Sequence, residues 1–481
     1  MNRRMVFYMI GQMIKLEAAL LLLPFAVSLC YREDCAKAFL ITIGIATFFG
    51  FAITILSRPA NRIIFAKEGF VIVAIAWIML SAIGALPFVI SGEIQSYADA
   101  FFETVSGFTT TGASILIDVE KMSHGNLFWR SFTHWIGGMG VLVFIMAIIP
   151  TVSDRSIHIL RAEMPGPIVG KLVPRIRQTA KILYLIYIAM TLLEIIFLLC
   201  GGMSLFDSTV HAFGTAGTGG FGIKTDSIAG YSPYLQWVIT IFMLLFGVNF
   251  NLYYLVLIRR FSSFFKSGEL WCYICICIAA MTAIAINIYP VYQSIADCIR
   301  LSSFQVTSII TTTGYVTADF SAWPEFSKGI LLTLMFIGGC AGSTAGGLKV
   351  SRIVLLFKMI RREILHMTHP RSVSSIQFEG KKIDAPILKS VSTYFALYMV
   401  GFFVIFLILC LEPFDFETNF TAVTACYNNV GPGMGHVGPT GNYAGYSAVS
   451  KIVLSLAMLL GRLEIFPMLV AFAPSTWTKN N

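Results

Sequence analysis

The sequence predicts an all-α polytopic membrane protein. Four repeats of apolar helix, short pore-loop segment and second apolar helix surround one central pore, and two extra transmembrane helices precede them. Composition, the length of the apolar runs and a glycine-bearing segment that recurs four times carry the prediction. Of 481 residues, 57% are hydrophobic and 12% charged, and the mean hydropathy is +0.78, far from the values of soluble globular domains. Apolar runs of bilayer-spanning length, about 20 residues, lie near 9–29, 37–56, 71–90, 126–150, 181–201, 232–258, 270–290, 328–360, 388–411 and 447–473, which makes ten spans. The recurring segments are Thr109-Thr110-Thr111-Gly112, Gly217-Thr218-Gly219-Gly220, Thr311-Thr312-Thr313-Gly314 and Asn428-Asn429-Val430-Gly431.

The first run holds Lys15 and Glu17 and lacks a small-residue cleavage site, so it reads as a retained helix rather than a signal peptide. With the second run it forms an N-terminal pair over 1–66. The remainder divides into units 67–170, 171–266, 267–383 and 384–481, whose glycine segments lie at 109–114, 217–222, 311–316 and 428–433. Gly112, Gly220, Gly314 and Gly431 are separated by 108, 94 and 117 residues, close to one common period. Six residues before each stands a small residue: Ser106, Gly214, Ser308 or Ala425. Thirteen residues before the first two stand Asp99 and Asp207, each suited to cap a short helix; units three and four lack an Asp at that offset.

A short helix such as 99–109 cannot cross a bilayer, so each unit dips in and returns as extended backbone. Such backbone survives at membrane depth only where protein buries it or a wet cavity faces it. Glycine accepts backbone angles of either hand and can turn successive carbonyl oxygens toward one axis, the arrangement that replaces the water shell of an alkali cation. The C-terminal ends of four short helices would add partial negative charge there. The residues expected to coordinate, chiefly through backbone carbonyls, are Thr110, Thr111 and Gly112; Thr218, Gly219 and Gly220; Thr312, Thr313 and Gly314; and Asn429, Val430 and Gly431. The competing reading, small residues that merely allow close helix packing, accounts for one segment better than for four at matched positions.

The net charge is +9, which on a soluble protein would raise nucleic acid as a partner. Its distribution argues otherwise. Stretches 58–69, 151–181, 259–269 and 349–389 hold 21 basic and 7 acidic residues, whereas the alternate connections hold 6 basic and 15 acidic. This positive-inside pattern puts the first set in the cytoplasm, both termini with it, and opens the glycine segments to the outside. The ten cysteines lack zinc spacing and the density of a disulfide scaffold; Cys272, Cys275 and Cys277 read as buried apolar residues, and only Cys30 and Cys35 are placed to pair.

The run Gly338 to Gly347 holds five glycines (Gly338, Gly339, Gly342, Gly346 and Gly347) midway through an expected span. Each costs a helix about 1 kcal/mol against alanine, so the helix should break there, either as a movable loop beneath the glycine segments or as a tight packing face. Lys349, just beyond, reads equally as a loop anchor or as a charge at the span's end. Arg462 lies inside the last apolar run, where it must face a polar path or find a partner. Glu464 is two residues on and points to another helix face, so Arg462 is expected beneath the glycine segments as an electrostatic barrier, with Glu464 bonded elsewhere. Glu194, also mid-span, reads as a helix-packing hydrogen-bonder rather than an ion ligand. His124, His134 and His211 read as structural. No paired carboxylates, nucleophile elbow or phosphate-binding glycine loop speaks for an enzyme.

Taken together, Ser106-Gly107-Phe108-Thr109-Thr110-Thr111-Gly112-Ala113-Ser114, Ser308 to Tyr315, Tyr427 to Gly433, Gly338 to Gly347 and Gly461-Arg462-Leu463-Glu464 resemble the Trk, Ktr and HKT superfamily of potassium transporters. The two leading helices are similar to its bacterial TrkH/TrkG type. The resemblance covers nearly the whole chain. It implies a pseudo-fourfold, single-chain relative of potassium channels in the bacterial cytoplasmic (inner) membrane, a homodimer in contact with membrane lipid, with K+ as the transported ion and no organic cofactor. It also implies a cytosolic nucleotide-binding regulatory subunit, a TrkA-like ring, for which stretches 151–181 and 349–389 offer basic docking surfaces, and a gating role for the loop 338–347, Lys349 and Arg462. In the family, serine at the first filter glycine accompanies sodium permeability, and here all four positions are glycine. The second segment departs most from the Thr-Thr-Thr-Gly pattern and leaves its carbonyl register open by a residue. An ion-coupled (H+ or Na+) symporter is the alternative, for which the sequence offers only Glu194, Arg462 and Glu464 as mid-span ionisable sites.

Overall fold

The computed structural model describes residues 1–59, 64–140, 176–371 and 374–477. The C-terminal part of the expected 126–150 run, most of the basic stretch 151–181 and the boundary between the first two repeats lie outside the described residues.

At the N-terminus α1 (Arg3–Leu20) runs into α2 (Leu22–Cys30), followed by α3 (Cys35–Leu56). The first repeat holds α4 (Ala66–Gly84), α5 (Leu86–Ile90), the short helix α6 (Tyr97–Phe108) and α7 (His124–Gly138). The second holds α8 (Ile176–Cys200), the short helix α9 (Leu205–Gly217), α10 (Pro233–Phe246) and α11 (Phe250–Leu257). After α12 (Phe261–Phe265), the third holds α13 (Gly268–Tyr292), the short helix α14 (Ile295–Ile310), α15 (Glu325–Ile337) and α16 (Val350–Thr368). An antiparallel hairpin of β1 (Gln377–Phe378) and β2 (Lys381–Lys382) leads to α17 (Ala385–Leu409), the short helix α18 (Phe416–Tyr427), α19 (Ala448–Arg462), α20 (Phe466–Phe472) and α21 (Pro474–Trp477).

Three of the short helices begin on the same chemistry. Ser96, Ser204 and Ser294 accept from the backbone N–H of Asp99, Asp207 and Asp297, three residues on, which satisfies one of the donors a helix start leaves open. Two sequence expectations are corrected here. Asp99 and Asp207 are not the caps; they stand in the first turn, where the helix dipole favours a carboxylate. The third repeat does carry the same box, but one turn farther from its glycine, because α14 has 16 residues and α6 has 12.

Of the ten expected spans, 328–360 breaks at its glycine run as expected, and others are interrupted where no break was expected. Among the described residues, six helical stretches are long and apolar enough to cross a membrane: Arg3–Cys30, Cys35–Leu56, Lys67–Ile90, Ala180–Cys200, Gly268–Tyr292 and Ala385–Leu409. The second helix of each repeat is shorter or interrupted. α7 ends at Gly138, α10 and α11 meet at a 90° bend, residues 338–349 part α15 from α16, and Leu463–Ile465 part α19 from α20. Counting apolar residues registers the total length and misses the breaks. Their physical reason is close approach: a Cβ at Gly137 would run into the Phe108 carbonyl, one at Gly461 into the Tyr427 carbonyl, and one at Gly247 into Thr311 and Tyr273.

The repeats form a closed cycle. Each second helix packs on the short helix of the next repeat, α7 on α9, α10 on α14, α15 on α18, and α19 back on α6. The last step carries an ion pair, Lys451 Nζ to Asp99 Oδ1 at 2.7 Å. The N-terminal helices lie against the first repeat, α1 on α4 and α2 on α7. Large apolar side chains such as Phe48, Ile286 and Leu407 remain exposed on the outer helices, as lipid contact requires. Cys30 and Cys35 are both free thiols; Cys35 is buried and its Sγ donates to Ser28 Oγ at 3.2 Å.

The glycine contacts give a test. Gly137→Ala and Gly461→Ala each force a Cβ onto a backbone carbonyl, whereas Gly44 in α3 has nothing within 4 Å. In denaturant unfolding of the detergent-solubilised protein, each of the first two changes should cost roughly 1–3 kcal/mol, and Gly44→Ala should be neutral or gain up to about 1 kcal/mol. Equal stabilities for all three variants would refute the packing account.

Candidate functional site

Each short helix ends on the same hydrogen-bonded turn. The residue one before the signature glycine donates its N–H to the carbonyl five residues back: Thr111 to Ser106 at 2.9 Å, and Gly219 to Gly214, Thr313 to Ser308 and Val430 to Ala425 at 2.8 Å each. The residue before it donates three back, Thr110 to Gly107, Thr218 to Thr215, Thr312 to Ile309 and Asn429 to Cys426, at 3.0–3.3 Å. This is the Schellman arrangement that stops a helix with one left-handed residue. That residue is Thr110 (φ 55°), Thr218 (φ 55°), Thr312 (φ 56°) and Asn429 (φ 57°), and the glycines follow at φ 80°, 75°, 84° and 97°. The second segment thus takes the same register as the other three, with Thr218 and Gly220 in the matching positions.

A left-handed β-branched residue is an outlier that costs about 1–3 kcal/mol and persists only where its surroundings impose it. Here those surroundings are visible. In the first and third segments the outer threonines brace the turn: Thr109 Oγ1 donates to Val105 O at 2.7 Å and meets Thr111 Oγ1 at 2.8 Å, and Thr311 repeats this with Thr307 O and Thr313. Asn429 Nδ2 donates to Thr111 Oγ1 of the neighbouring segment and to Met458 O, both at 2.9 Å. Thr312 Oγ1 accepts from Gly346 N at 2.6 Å. Thr110 Oγ1 is buried with no hydrogen-bond partner among the described residues.

The four segments meet in cyclic order. A Cβ at Gly112 would strike the Gly219 carbonyl oxygen, one at Gly220 that of Thr313, one at Gly314 that of Val430, and one at Gly431 that of Thr111. Every signature glycine is therefore pressed against the carbonyl that precedes the next repeat's glycine. Only a residue without a side chain fits, and the carbonyls of Thr111, Gly219, Thr313 and Val430 form a ring. All four glycines also line one cavity, whose remaining walls come from the connections that follow them.

On the other side of the ring lies the loop between α15 and α16. Gly338 (φ 74°), Gly342 (φ 73°) and Gly347 (φ 76°) take backbone angles that no helix permits. Its amides and hydroxyls bond the second and fourth repeats: Cys340 N to Gly247 O at 3.0 Å, Thr344 Oγ1 to Phe246 O at 3.3 Å, and Gly347 N to Asn428 O at 3.1 Å. Gly339, within this loop, sits against Gly247 and Ala345, and Gly346 against the Asn428 carbonyl. Lys349 is buried and its Nζ donates to the Ala345 carbonyl, the geometry of a loop tie. Arg462 reaches in from the end of α19 and donates to Thr344 O at 2.8 Å and to Gly137 O and Gly138 O at 2.5 and 2.7 Å. Glu464 faces away and holds Arg352 through two bonds of 3.0 and 2.5 Å, with the Arg352 guanidinium stacked over Tyr394.

The sequence reading missed the layer behind the ring. Glu103 and Arg130, both buried, are joined at 2.6 Å; Glu103 also accepts from Ser114 Oγ and Ile115 N, each at 3.0 Å, and Arg130 donates to Gly222 O at 3.0 Å. The pair ties the chain leaving the first segment to the chain leaving the second. Tyr443 OH bonds Gly431 O at 2.8 Å and His134 Nδ1 lies 2.8 Å from Gly107 O. An arginine inside an expected span was the available signal. Glu194 is fully buried beside Thr215, whose hydroxyl donates to His211 O at 2.9 Å.

Comparison with known proteins gives a consistent outcome. The family model described as TrkH, cation transport protein, matches residues 36–270 and 272–479. The Trk system potassium uptake protein TrkH of Salmonella typhimurium is 37% identical over 484 residues, covering 99% of this chain and 100% of that protein. TrkG of Escherichia coli is 33% identical over 482 residues, covering 98% of each. The crystal structure of the potassium transporter TrkH from Vibrio parahaemolyticus superposes with a TM-score of 0.89 at 32% identity, over 99% of this chain and 100% of that one. With helices apolar enough to cross a membrane several times and a match over almost its whole length, the chain is a multi-pass membrane protein that belongs to the TrkH family.

Proposed function

We propose that the chain conducts potassium into the cell through the ring of four glycine segments. The observation that carries this is the cyclic contact of each signature glycine with the next repeat's carbonyl, which gathers the carbonyls of Thr111, Gly219, Thr313 and Val430 at one level. Main-chain oxygens so gathered replace a monovalent cation's water, and the helix ends behind them are already negative. Thr110, Gly112, Thr218, Gly220, Thr312, Gly314, Asn429 and Gly431 extend the coordinating path above and below. The relatives' printed names, potassium uptake proteins, point to the same ion.

The loop 338–347 acts as the gate, and Lys349 and Arg462 hold it. Arg462 sets a positive charge beneath the ring while fastening the loop's Thr344 to the end of α7. A passing cation meets both a plug and a repulsive charge. Opening releases Thr344 and draws the loop toward α16. The protein works as a homodimer in the bacterial cytoplasmic membrane, with both termini inside, and a cytosolic nucleotide-binding subunit docks on the basic stretches 151–181 and 349–389 to drive the loop. The units 67–170, 171–266, 267–383 and 384–481 each contribute one quarter of the path.

Flux into liposomes should rank potassium, then rubidium, then sodium. Gly112→Ser, which presses a side chain onto Gly219 O, should cut the potassium-to-sodium flux ratio by about tenfold, the equivalent of ~1.4 kcal/mol in relative barrier. Equal sodium flux in the unaltered protein would remove the selectivity claim. Arg462→Ala should raise potassium flux by about tenfold on the same scale, and unchanged or lower flux at normal protein yield would count against a barrier. The coupled alternative draws on Glu194, a carboxyl buried in α8. Dependence of uptake on an imposed proton gradient, abolished by Glu194→Gln, would favour it.

A further inference from the structure

Outside the ring, the buried carboxylate of Glu269 has an unusual set of partners. Glu269 lies in the first turn of α13 and is 5% exposed. Its Oε1 accepts from Ala341 N at 2.7 Å and from Ser351 N at 3.1 Å, residues 72 and 82 positions away. Ala341 is near the start of the intramembrane loop and Ser351 is just past its end. One oxygen therefore pins both sides of the loop.

Both amides need it. Ser351 sits in the first turn of α16, whose cap position is Lys349, a residue without a side-chain acceptor, so α16 has no side-chain cap of its own. Ala341 belongs to non-helical backbone at membrane depth, where an amide without a partner is costly. Glu269 is itself held from below. Glu379, at the turn of the β1–β2 hairpin, accepts from Ser267 Oγ and from the backbone N–H of Glu269, both at 3.1 Å. Glu379 (φ 51°) and Gly380 (φ 72°) form the tight turn that aims this carboxylate. The hairpin packs through Ile376, Phe378 and Ile383 on Leu355 of α16 and on Leu388 and Val391 of α17. A continuous path of contacts thus runs from an exposed hairpin, through the start of α13, to the two ends of the loop.

We infer that Glu269 is the clasp that holds the intramembrane loop closed and that the Glu379 turn is the handle through which that clasp is released from the cytoplasmic side. The inference rests on the reading of the loop as a gate. Closed, Glu269 caps α16 and anchors Ala341. When the hairpin shifts, the start of α13 loses Glu379, the carboxylate withdraws, and the loop is free to follow α16. Glu269 is a positioning residue: it touches no ion and acts only through the loop.

The test uses Cys340, a native thiol that is fully buried in the loop beside Ala341. The full-length protein in liposomes is treated with a small charged methanethiosulfonate, labelling at Cys340 is followed by peptide mass spectrometry, and potassium flux is measured in parallel. Glu269→Ala should raise both the Cys340 labelling rate and the flux by about tenfold, as expected for two lost amide bonds. Glu269→Gln, which keeps the accepting oxygen, should stay near the unaltered protein. Glu379→Ala should move both readouts in the same direction by less. Unchanged labelling in Glu269→Ala overturns the clasp, whatever the flux does. Increased labelling with unchanged flux supports the clasp and instead overturns the gate reading. If Glu269→Ala yields no folded protein, the Glu379→Ala labelling rate decides: a rise supports the clasp and no change overturns it.

Discussion

Backbone that leaves helical geometry inside a bilayer has no water to turn to, so each of its amides and carbonyls must find a partner within the protein. The whole centre of this molecule follows from that constraint. Four short helices stop at membrane depth, and each stops on the same two-bond Schellman turn, which satisfies the carbonyls that a helix end leaves open. The turn demands one left-handed residue and then a glycine. Once those angles are set, the next carbonyls can only point inward, toward the three other segments.

The choice of threonine or asparagine at the left-handed position runs against backbone preference, since glycine would take it without strain. Its side chain explains the choice in two of the four cases. Thr312 receives the Gly346 amide of the loop, and Asn429 ties its own segment both to Thr111 and to α19. The strained positions are thus the points where the ring is fastened to its surroundings. Behind them the Glu103–Arg130 pair makes three further hydrogen bonds with flanking chain. Removing one member of such a buried pair strands the other charge, which is why the arrangement holds geometry more firmly than its small net contribution to stability implies.

Much of this was legible beforehand. Repeat order, the short helices and the signature glycines follow from apolar periodicity and from spacing between Gly112, Gly220, Gly314 and Gly431, both properties of local sequence. The break at 338–347 was legible from its glycines, but those near Gly247 and Leu463 were not, because hydropathy sums across them without registering that Gly247 meets Tyr273 and Thr311, or that Gly461 meets the Tyr427 carbonyl. Nor were the partners of Glu103, Glu269 or Glu379, whose contacts lie 11 to 112 residues away. The Ser294-Asp297 box was hidden by a single additional turn in α14. Arg462 and Glu464 were separable on helical spacing, and the structure parts them further, since the helix ends at Arg462 and Glu464 is left-handed (φ 57°).

Fourfold likeness stops below the ring, at the loop proposed as the gate. In the second and fourth repeats the break in the last helix spans three residues, enough to bend the chain and no more. In the third it spans twelve, from Gly338 to Lys349, and among the described residues that insertion reaches across to bond the second repeat at Phe246 and Gly247, the fourth at Asn428, and Arg462 beyond it. A structure that was equivalent in all four quarters would have no element able to cover the path from one side. Because the covering element hangs between α15 and α16, its position is set by whatever holds α16. The carboxylate of Glu269 and the ion pair of Arg352 with Glu464 both hold the start of that helix. On the proposed reading the symmetric part selects, and this asymmetric insertion governs when the selected ion passes.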